Sequence, residues 1–521
     1  MYTADSHLAQ ADSYNKWYAA AIALDALEGK DSWKSSTQSL PASKSYYNAA
    51  LLTHRLHELD EARLNCDARR MLFLIRTTLS RNLGGMNNLP LYRHSHVGTK
   101  TLIERYIEST TATLKALLEI CAAQGLRKDG DNGRLESRVV LEQLLAARQA
   151  FGRSALLLSG GGTFGMNHIG VVKCLWEQSL LPRIISGSSA GSIVCAVLCT
   201  RPDHEIPAML EYMCSGDLAV FEDPEEKERE GLLATLKRFL THGAVFESKH
   251  LVRVMRGLLG DITFQEAYNR TRRILNICVS SASVYELPRL LNYVTAPNVI
   301  IWSAVATSCS VPFVFIPSSI LAKDPKTGEH VPWNGPSTSL TPQRWIDGSV
   351  DNDLPMTRLA EMFNVNHFIV SQVNPHVVPF LRSEEGAGAE ALNTDGGSDS
   401  AAKGWLNTAA VLAKGELLHR MHVLADLHVF PTTMTKTRSI LSQRYSGDIT
   451  ILPEIPYSQF PLVLTNPTPE FMLRAMRAGE RATWPKLSRI KNALSIEMAL
   501  DEAVAEARGR VVFSKSQVDL R

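Results

Sequence analysis

The chain has 521 residues, 45% of them apolar and 21% charged, which is the composition of a globular protein with a large core and room for more than one folding unit. Its 55 basic and 53 acidic residues leave a formal charge of +2, a balance that argues against nucleic acid as a bulk partner. The eight cysteines form no C-x-x-C pair and no zinc spacing, and no signal peptide opens the chain, so reduced thiols, no metal and no cofactor are expected.

Helical periodicity runs through Trp17–Leu27, Tyr47–Leu59, Ala68–Leu79, Thr99–Ala123 and Glu136–Ala150, which predicts a helical N-terminal domain over residues 1–150. Gly84-Gly85 and K-D-G-D-N-G, Lys128–Gly133, supply turn material between them. The stretch W-Y-A-A-A-I-A-L-D-A-L, from Trp17, suits either a buried helix or one lying on a lipid surface.

From Ser154 to about Asn374 short apolar runs alternate with helices: S-A-L-L-L-S, R-I-I-S at 183–186, R-I-L-N-I-C-V-S at 273–280, R-W-I-D at 344–347 and H-F-I-V-S-Q-V at 367–373. That alternation predicts an α/β domain over residues 151–380 with a mostly parallel sheet. Asn298–Ala322 has no charge over 25 residues, long enough to span a bilayer, yet Pro312, Pro317 and six Ser or Thr residues favour a helix, a turn and a buried strand. Residues 381–404, rich in Gly, Ala, Ser and Asp, read as a disordered loop. The remainder, 405–521, reads as a mainly helical extension with helices at Leu406–Leu427, Pro469–Ala478 and Ile490–Arg508 and a strand in D-I-T-I-L-P.

The loop after the first strand, G-G-G-T-F-G from Gly160, admits two readings. Gly160, Gly162 and Gly165 spell the G-x-G-x-x-G of a dinucleotide site. The N–H groups of Gly160, Gly161 and Gly162 would equally suit the oxyanion of a reacting ester. A dinucleotide site wants an acid at the end of the second strand, where this chain has Ser186-Gly187-Ser188. In its place stands G-S-S-A-G, Gly187 to Gly191, between a strand and an apolar helix. That is the nucleophile-elbow pattern, with Ser189 at the turn and small residues where the backbone leaves no room. Further on, W-I-D-G-S-V-D-N-D-L-P puts Asp347 at a strand end before Gly348, either as a turn cap or as a general base.

Those three pieces, in that order, resemble the patatin-like lipid acyl hydrolases, whose glycine loop, G-x-S-x-G serine and D-G-G or D-G-A aspartate work without a histidine. A-T-S-C-S-V-P-F-V-F-I-P, Ala306–Pro317, is similar to that family's site-lining stretch. D-S-W-K-S-S, L-P-A-S-K-S-Y-Y-N, Y-S-G-D-I-T-I-L-P and G-E-R-A-T-W-P-K-L-S-R-I resemble the branch of fungal and plant lipid-droplet triacylglycerol lipases. The resemblance implies a three-layer α/β/α core, a Ser189–Asp347 dyad, an oxyanion hole at Gly160, Gly161 and Gly162, and acylglycerol or phospholipid substrates. It also implies a lipid-droplet surface or the cytoplasmic side of the endoplasmic reticulum as the place of action. Many relatives carry a basic residue where this chain has Thr163-Phe164-Gly165, and Gly or Ala where it has Ser349. The first departure favours neutral lipid, and the second bears on Asp347 itself.

Three rival readings remain. A Ser-His-Asp triad would draw on His367, His376, His419, His422 or His428, the histidines that come after the acid. His7 and Asp12 fit the H-x-x-x-x-D of some acyltransferases, a match that chance supplies. A lipid-surface scaffold with a retired core is the third, and the intact serine, aspartate and glycines oppose it.

Overall fold

The structure, a computed structural model, describes residues 8, 10–36, 46–126, 135–215, 220–221, 248–281, 289–311, 315, 319–333, 345–349, 353–375, 377–378, 381, 443 and 445–513. The expected turn at Lys128–Gly133, the loop at 381–404 (Leu381 aside), the helix Leu406–Leu427, and His7, His376, His419, His422 and His428 lie outside the described residues. The chain forms two compact units, residues 1–153 with 484–521, and residues 154–483.

The first unit is built from α1 (Tyr14–Leu27), α2 (Ala49–Leu64), α3 (Ala68–Thr78), α4 (Thr101–Leu126), α5 (Ser137–Phe151) and the long C-terminal helix Leu487–Val512. Asn48 accepts the Leu51 N–H to start α2, and Asp67 accepts those of Arg69 and Arg70 to start α3. Leu52, Leu56 and Leu59 of α2 recur at helical spacing and meet Met71, Ile75, Ile103, Leu117 and Leu144. Leu500 and Val504 of the C-terminal helix enter the same core. That helix is fastened by two ion pairs, Arg81 to Glu497 at 3.0 Å and Arg148 to Asp501. The extension expected over 405–521 is thus divided, its final helix packing with the N-terminal ones. In α1, Trp17, Ala21 and Leu24 are buried while Tyr18, Ile22 and Leu27 are exposed.

The second unit holds a sheet of seven described strands: β1 (Arg153–Leu158, whose first residue falls to the other unit), β2 (Ile184–Gly187), β3 (Ile274–Ser281), β4 (Arg289–Leu291), β7 (Trp345–Asp347), β8 (Val365–Ser371) and β9 (Ile449–Ile451). The hairpin strands β5 (Leu321–Lys323) and β6 (His330–Pro332) pair apart from it. The order is β4-β3-β2-β1-β8-β9, with β1–β2, β2–β3 and β8–β9 parallel. Helices cover both faces. Ala155 and Leu157 of β1 pack with Leu359 and Phe363 of α9 (Met356–Phe363), which comes after α6 (Asn167–Glu177), α7 (Ala190–Thr200) and α8 (Ile301–Ser308). The direction a side chain at Gly187 would take leads instead to Gly191 and Cys195, which puts α7 on the opposite face.

Every residue of α7 and of α8 is buried, so their apolar sequences need no amphipathic pattern. Cys195 and Cys199 are fully buried, and burial pushes the Cys199 thiol up to about 12, as suits small core side chains. The uncharged stretch from Asn298 resolves into the buried helix α8 and the strand β5, while Pro312 and Pro317 fall outside the described residues. Among the described residues no helix is long and apolar enough to cross a membrane.

Candidate active site

Four strands deliver residues to one place, at their carboxyl ends, where open α/β sheets commonly bind ligands. β1 runs into Ser159 and the glycine triplet. Gly161 (φ 153°) and Gly162 (φ 56°) are left-handed, and a side chain at Gly162 would collide with the Val463 carbonyl. The Gly160 N–H donates to Asp353 Oδ1 at 2.8 Å, so it is already engaged. The N–H groups of Gly161 and Gly162 have no acceptor among the described residues. Thr163 hooks the loop to a distant segment, its hydroxyl donating to the carbonyls of Val463 (3.1 Å) and Thr465 (2.6 Å). Phe164 is fully buried between Phe460 and Phe471.

β2 ends at Gly187, and the chain turns directly into α7 with Ser189 at the corner. Ser189 has φ 50° and ψ −126°, a strained conformation for a residue with a side chain. The crossing of strand and helix leaves no room for Cβ atoms at Gly187 or Gly191, which would strike Gly191 and Leu158 respectively. The corner is pinned by a relay: Ser189 N–H donates to Ser308 Oγ at 3.1 Å, and Ser308 Oγ–H donates to the Cys278 carbonyl at 2.7 Å. Ser189 is 7% exposed, at the floor of a cavity.

β7 supplies the carboxyl. β2 stops at its pairing with Ile277, which frees that edge of β3, and β7 takes the place antiparallel, pairing Asp347 with Val279. β4 occupies the other edge of Val279. Asp347 therefore stands just past the end of β2, beside the elbow. It is fully buried. Its Oδ1 accepts the Ser349 N–H at 2.7 Å across the turn at Gly348, while Oδ2 has no hydrogen-bond partner of standard geometry among the described residues. Burial pushes its pKa up to about 6, against the lowering effect of Ser349 and of the Ser189 hydroxyl. The hydroxyl is thus a near neighbour of the carboxyl, close enough to act on its pKa though outside standard hydrogen-bond geometry. Ser349, the unusual third residue of the aspartate motif, is part of how Asp347 is held.

Two buried groups at this place escape sequence reasoning. Asp353 accepts from Gly160 N–H and, at 2.8 Å, from Asn374 Nδ2. Burial raises it to about 7, with the Asp347 charge adding to the rise and the Gly160 N–H opposing it. It lies within the D-N-D-L-P run, but nothing local marks it as the partner of a glycine 193 residues away. His168 sits under the glycine loop, Nδ1 to Ser371 Oγ (2.8 Å) and Nε2 to the Ser159 carbonyl (2.9 Å). Burial lowers its pKa to about 4, so it is neutral and has no nitrogen left for Ser189.

His367, one of the triad candidates, is at the wrong end of the sheet. Its Nδ1 meets Ser154 Oγ at 3.3 Å, at the start of β1, whereas Ser159 N–H bonds the Ser371 carbonyl at the far ends of β1 and β8. A six-residue strand separates it from the glycine loop by roughly 17 Å.

The serine opens onto a cavity of about 250 Å³. Met166, Ile193, Phe221, Leu251, Phe315 and Leu464 line it among others, and none of the described lining residues is charged. An elbow serine, a glycine loop with two N–H groups unengaged among the described residues, a buried carboxyl of raised pKa and a cavity whose described lining is uncharged make the constellation of serine-nucleophile ester hydrolases.

The chain belongs to the patatin-like phospholipase family. Residues 156–360 match that family's model, and residues 3–129 match a domain of unknown function (DUF3336). The chain is 41% identical to triacylglycerol lipase ptl3 of Schizosaccharomyces pombe, over 95% of both chains. It is 44% identical to triacylglycerol lipase 4 of Saccharomyces cerevisiae, over 97% of this chain and 53% of that one. With triacylglycerol lipase SDP1L of Arabidopsis thaliana the identity is 39%, over 94% of this chain and 57% of the plant protein. The chain thus spans only about half the length of the budding-yeast and plant relatives.

Proposed function

We propose that this chain hydrolyses lipid acyl esters, triacylglycerol foremost, through an acyl-serine on Ser189 with Asp347 as the general base. The observation that carries the reading is Ser189 in a cavity whose described lining is apolar and uncharged, beside a buried carboxyl whose pKa of about 6 suits a base at neutral pH. The activity for which the relatives are named agrees with it.

In this reading Ser189 Oγ attacks the ester carbonyl carbon and its proton passes to Asp347 Oδ2. The oxyanion takes the N–H groups of Gly161 and Gly162, with Gly160 positioned by Asp353. Collapse of the adduct expels the glycerol oxygen, which leaves with the proton from Asp347. Water then attacks the acyl-serine, gives its proton to Asp347, and the fatty acid departs as Ser189 is reprotonated. A lysolipid hydroxyl in place of that water would make the same step an acyl transfer. The catalytic domain is residues 151–380, with Val463, Leu464 and Pro467 completing the cavity wall. The place of action is a lipid-droplet surface or the cytoplasmic face of the endoplasmic reticulum, since the substrate is insoluble in water.

This chemistry sets two expected results. Gly162→Ala should lower turnover of a soluble butyrate ester by about 10²-fold, the usual cost of spoiling one oxyanion donor. Steady-state assay beside thermal unfolding checks it. On mixed emulsions the purified chain should release fatty acid from triacylglycerol faster than from phosphatidylcholine, because the described lining of the cavity is apolar and offers a phosphate no cation. Product analysis at matched interfacial area tests the reading, and a clear preference for phospholipid would overturn it.

A further inference from the structure

The uncharged segment Ile455–Pro469 and the start of α10 (Pro469–Thr483) lie between two cavities. Val463, Leu464 and Pro467 wall the Ser189 cavity. On the other side, Ile455, Pro456 and Gln459 wall a second cavity of about 580 Å³, whose far wall is α10. The segment is wound as short helical turns over Tyr457–Leu464 and buries none of those eight residues fully. Tyr457 is 71% exposed and Leu462 41%, an unusual amount of bare apolar surface for one short stretch. The Thr163 hydroxyl ties this segment to the oxyanion loop through the carbonyls of Val463 and Thr465.

The α10 wall of the second cavity carries Arg474, Arg477 and Arg481, at spacings that set all three on one helix face. All three are exposed. Arg474 and Arg477 form no ion pair among the described residues, and Arg474 Nε reaches only the Glu470 carbonyl of its own helix, at 3.4 Å. Glu454 is the one acid in the described lining, so the wall is net positive.

We propose that residues 455–467 and this arginine face together dock the unit on a phospholipid-covered lipid surface. The guanidinium groups meet headgroup phosphates, and Tyr457 and Leu462 enter the acyl layer beside them. Charge complementarity selects the occupant: the Arg474 and Arg477 guanidinium groups, facing the segment that bares Tyr457 and Leu462, match a surface of phosphates over hydrocarbon. Continuity with the Ser189 cavity gives the docking its use, since the same segment walls the cavity, and an acyl ester leaving the lipid enters without crossing water. The proposal rests on the lipid-ester reading above and names the surface through which that site is fed.

The test uses the full chain, a double variant Arg474→Gln/Arg477→Gln and a double variant Tyr457→Ser/Leu462→Ser. Flotation is measured with vesicles of phosphatidylcholine containing about one-fifth phosphatidylserine, whose negative surface attracts basic residues. Hydrolysis is measured on a soluble butyrate ester and on phospholipid-coated trioleoylglycerol emulsion. Both variants should float about 10-fold less and hydrolyse emulsion about 10-fold more slowly, with soluble-ester turnover unchanged, and the arginine variant should lose the salt sensitivity of binding. Variants that float and hydrolyse emulsion like the parent chain would overturn the proposal. So would binding that millimolar inorganic phosphate abolishes, which would mark a small-anion site. Failure of the ester-hydrolase reading is distinguishable, because the parent chain would then turn over neither ester while flotation still reports docking.

Discussion

Ser189→Ala is expected to lower hydrolysis of any ester, soluble or emulsified, by about 10⁴-fold or more, since the covalent intermediate loses its oxygen. The fold should survive the change. Ser189 contributes its backbone to the corner, through Ser308 and Ser192, and its side chain makes no hydrogen bond of standard geometry among the described residues. Alanine is smaller and occupies the same strained φ no more readily than serine does. The variant should therefore unfold within a few degrees of the parent while its rate falls to that of the empty site. Steady-state rates beside a thermal melt separate the two. A variant retaining a tenth of the parent activity would remove Ser189 from the mechanism.

Asp347→Asn should cost nearly as much activity, about 10³- to 10⁴-fold, by keeping the shape and removing the basicity. The pH dependence has a definite sign. In the parent chain the base must be ionised, so log kcat/KM on a soluble ester should rise with pH through about 6 and level off above it. Stability should move in the other direction. A carboxyl whose pKa is raised by folding holds its proton more tightly in the folded chain. It therefore favours the fold at low pH, and that contribution is lost as pH rises through about 6. At pH 8 the asparagine variant escapes that penalty and should be more stable than the parent by on the order of 2 kcal/mol. Greater stability with lost activity is the exchange expected where a site holds a costly charge. Denaturant titration at pH 4 and pH 8 reads it, since the penalty sets in between the unfolded pKa of 3.8 and about 6, and a gain at pH 4 as large as at pH 8 would contradict the assignment.

How much of this was legible in the sequence differs residue by residue. Gly187, Ser189 and Gly191 were legible because a strand turning directly into a helix imposes small residues at fixed offsets, a wholly local constraint. Asp347 was legible as a strand end, though not why it lies beside the elbow. That results from β2 stopping at Gly187 and β7 taking over the edge of β3, a pairing between residues nearly seventy positions apart. The glycine triplet announced a loop with free donors, but not that Gly160 spends its N–H on Asp353. Asp353 and His168 went unread because their partners, Gly160, Asn374 and Ser371, are distant in the chain and burial alone gives them meaning. Periodicity likewise found the helix at 490–508 and its apolar face. It carried no information that the face meets α4 and α5, since a hydrophobic stripe specifies that it must be covered and not by what.

The most direct test of the central claim, a serine served by an aspartate, is peptide mapping after inactivation by a fluorophosphonate. One adduct is expected, on Ser189, formed at the parent rate in His367→Ala and His376→Ala and at least about 10²-fold more slowly in Asp347→Asn. An adduct on another serine, or labelling of Ser189 that persists in Asp347→Asn and disappears in a histidine variant, would contradict it.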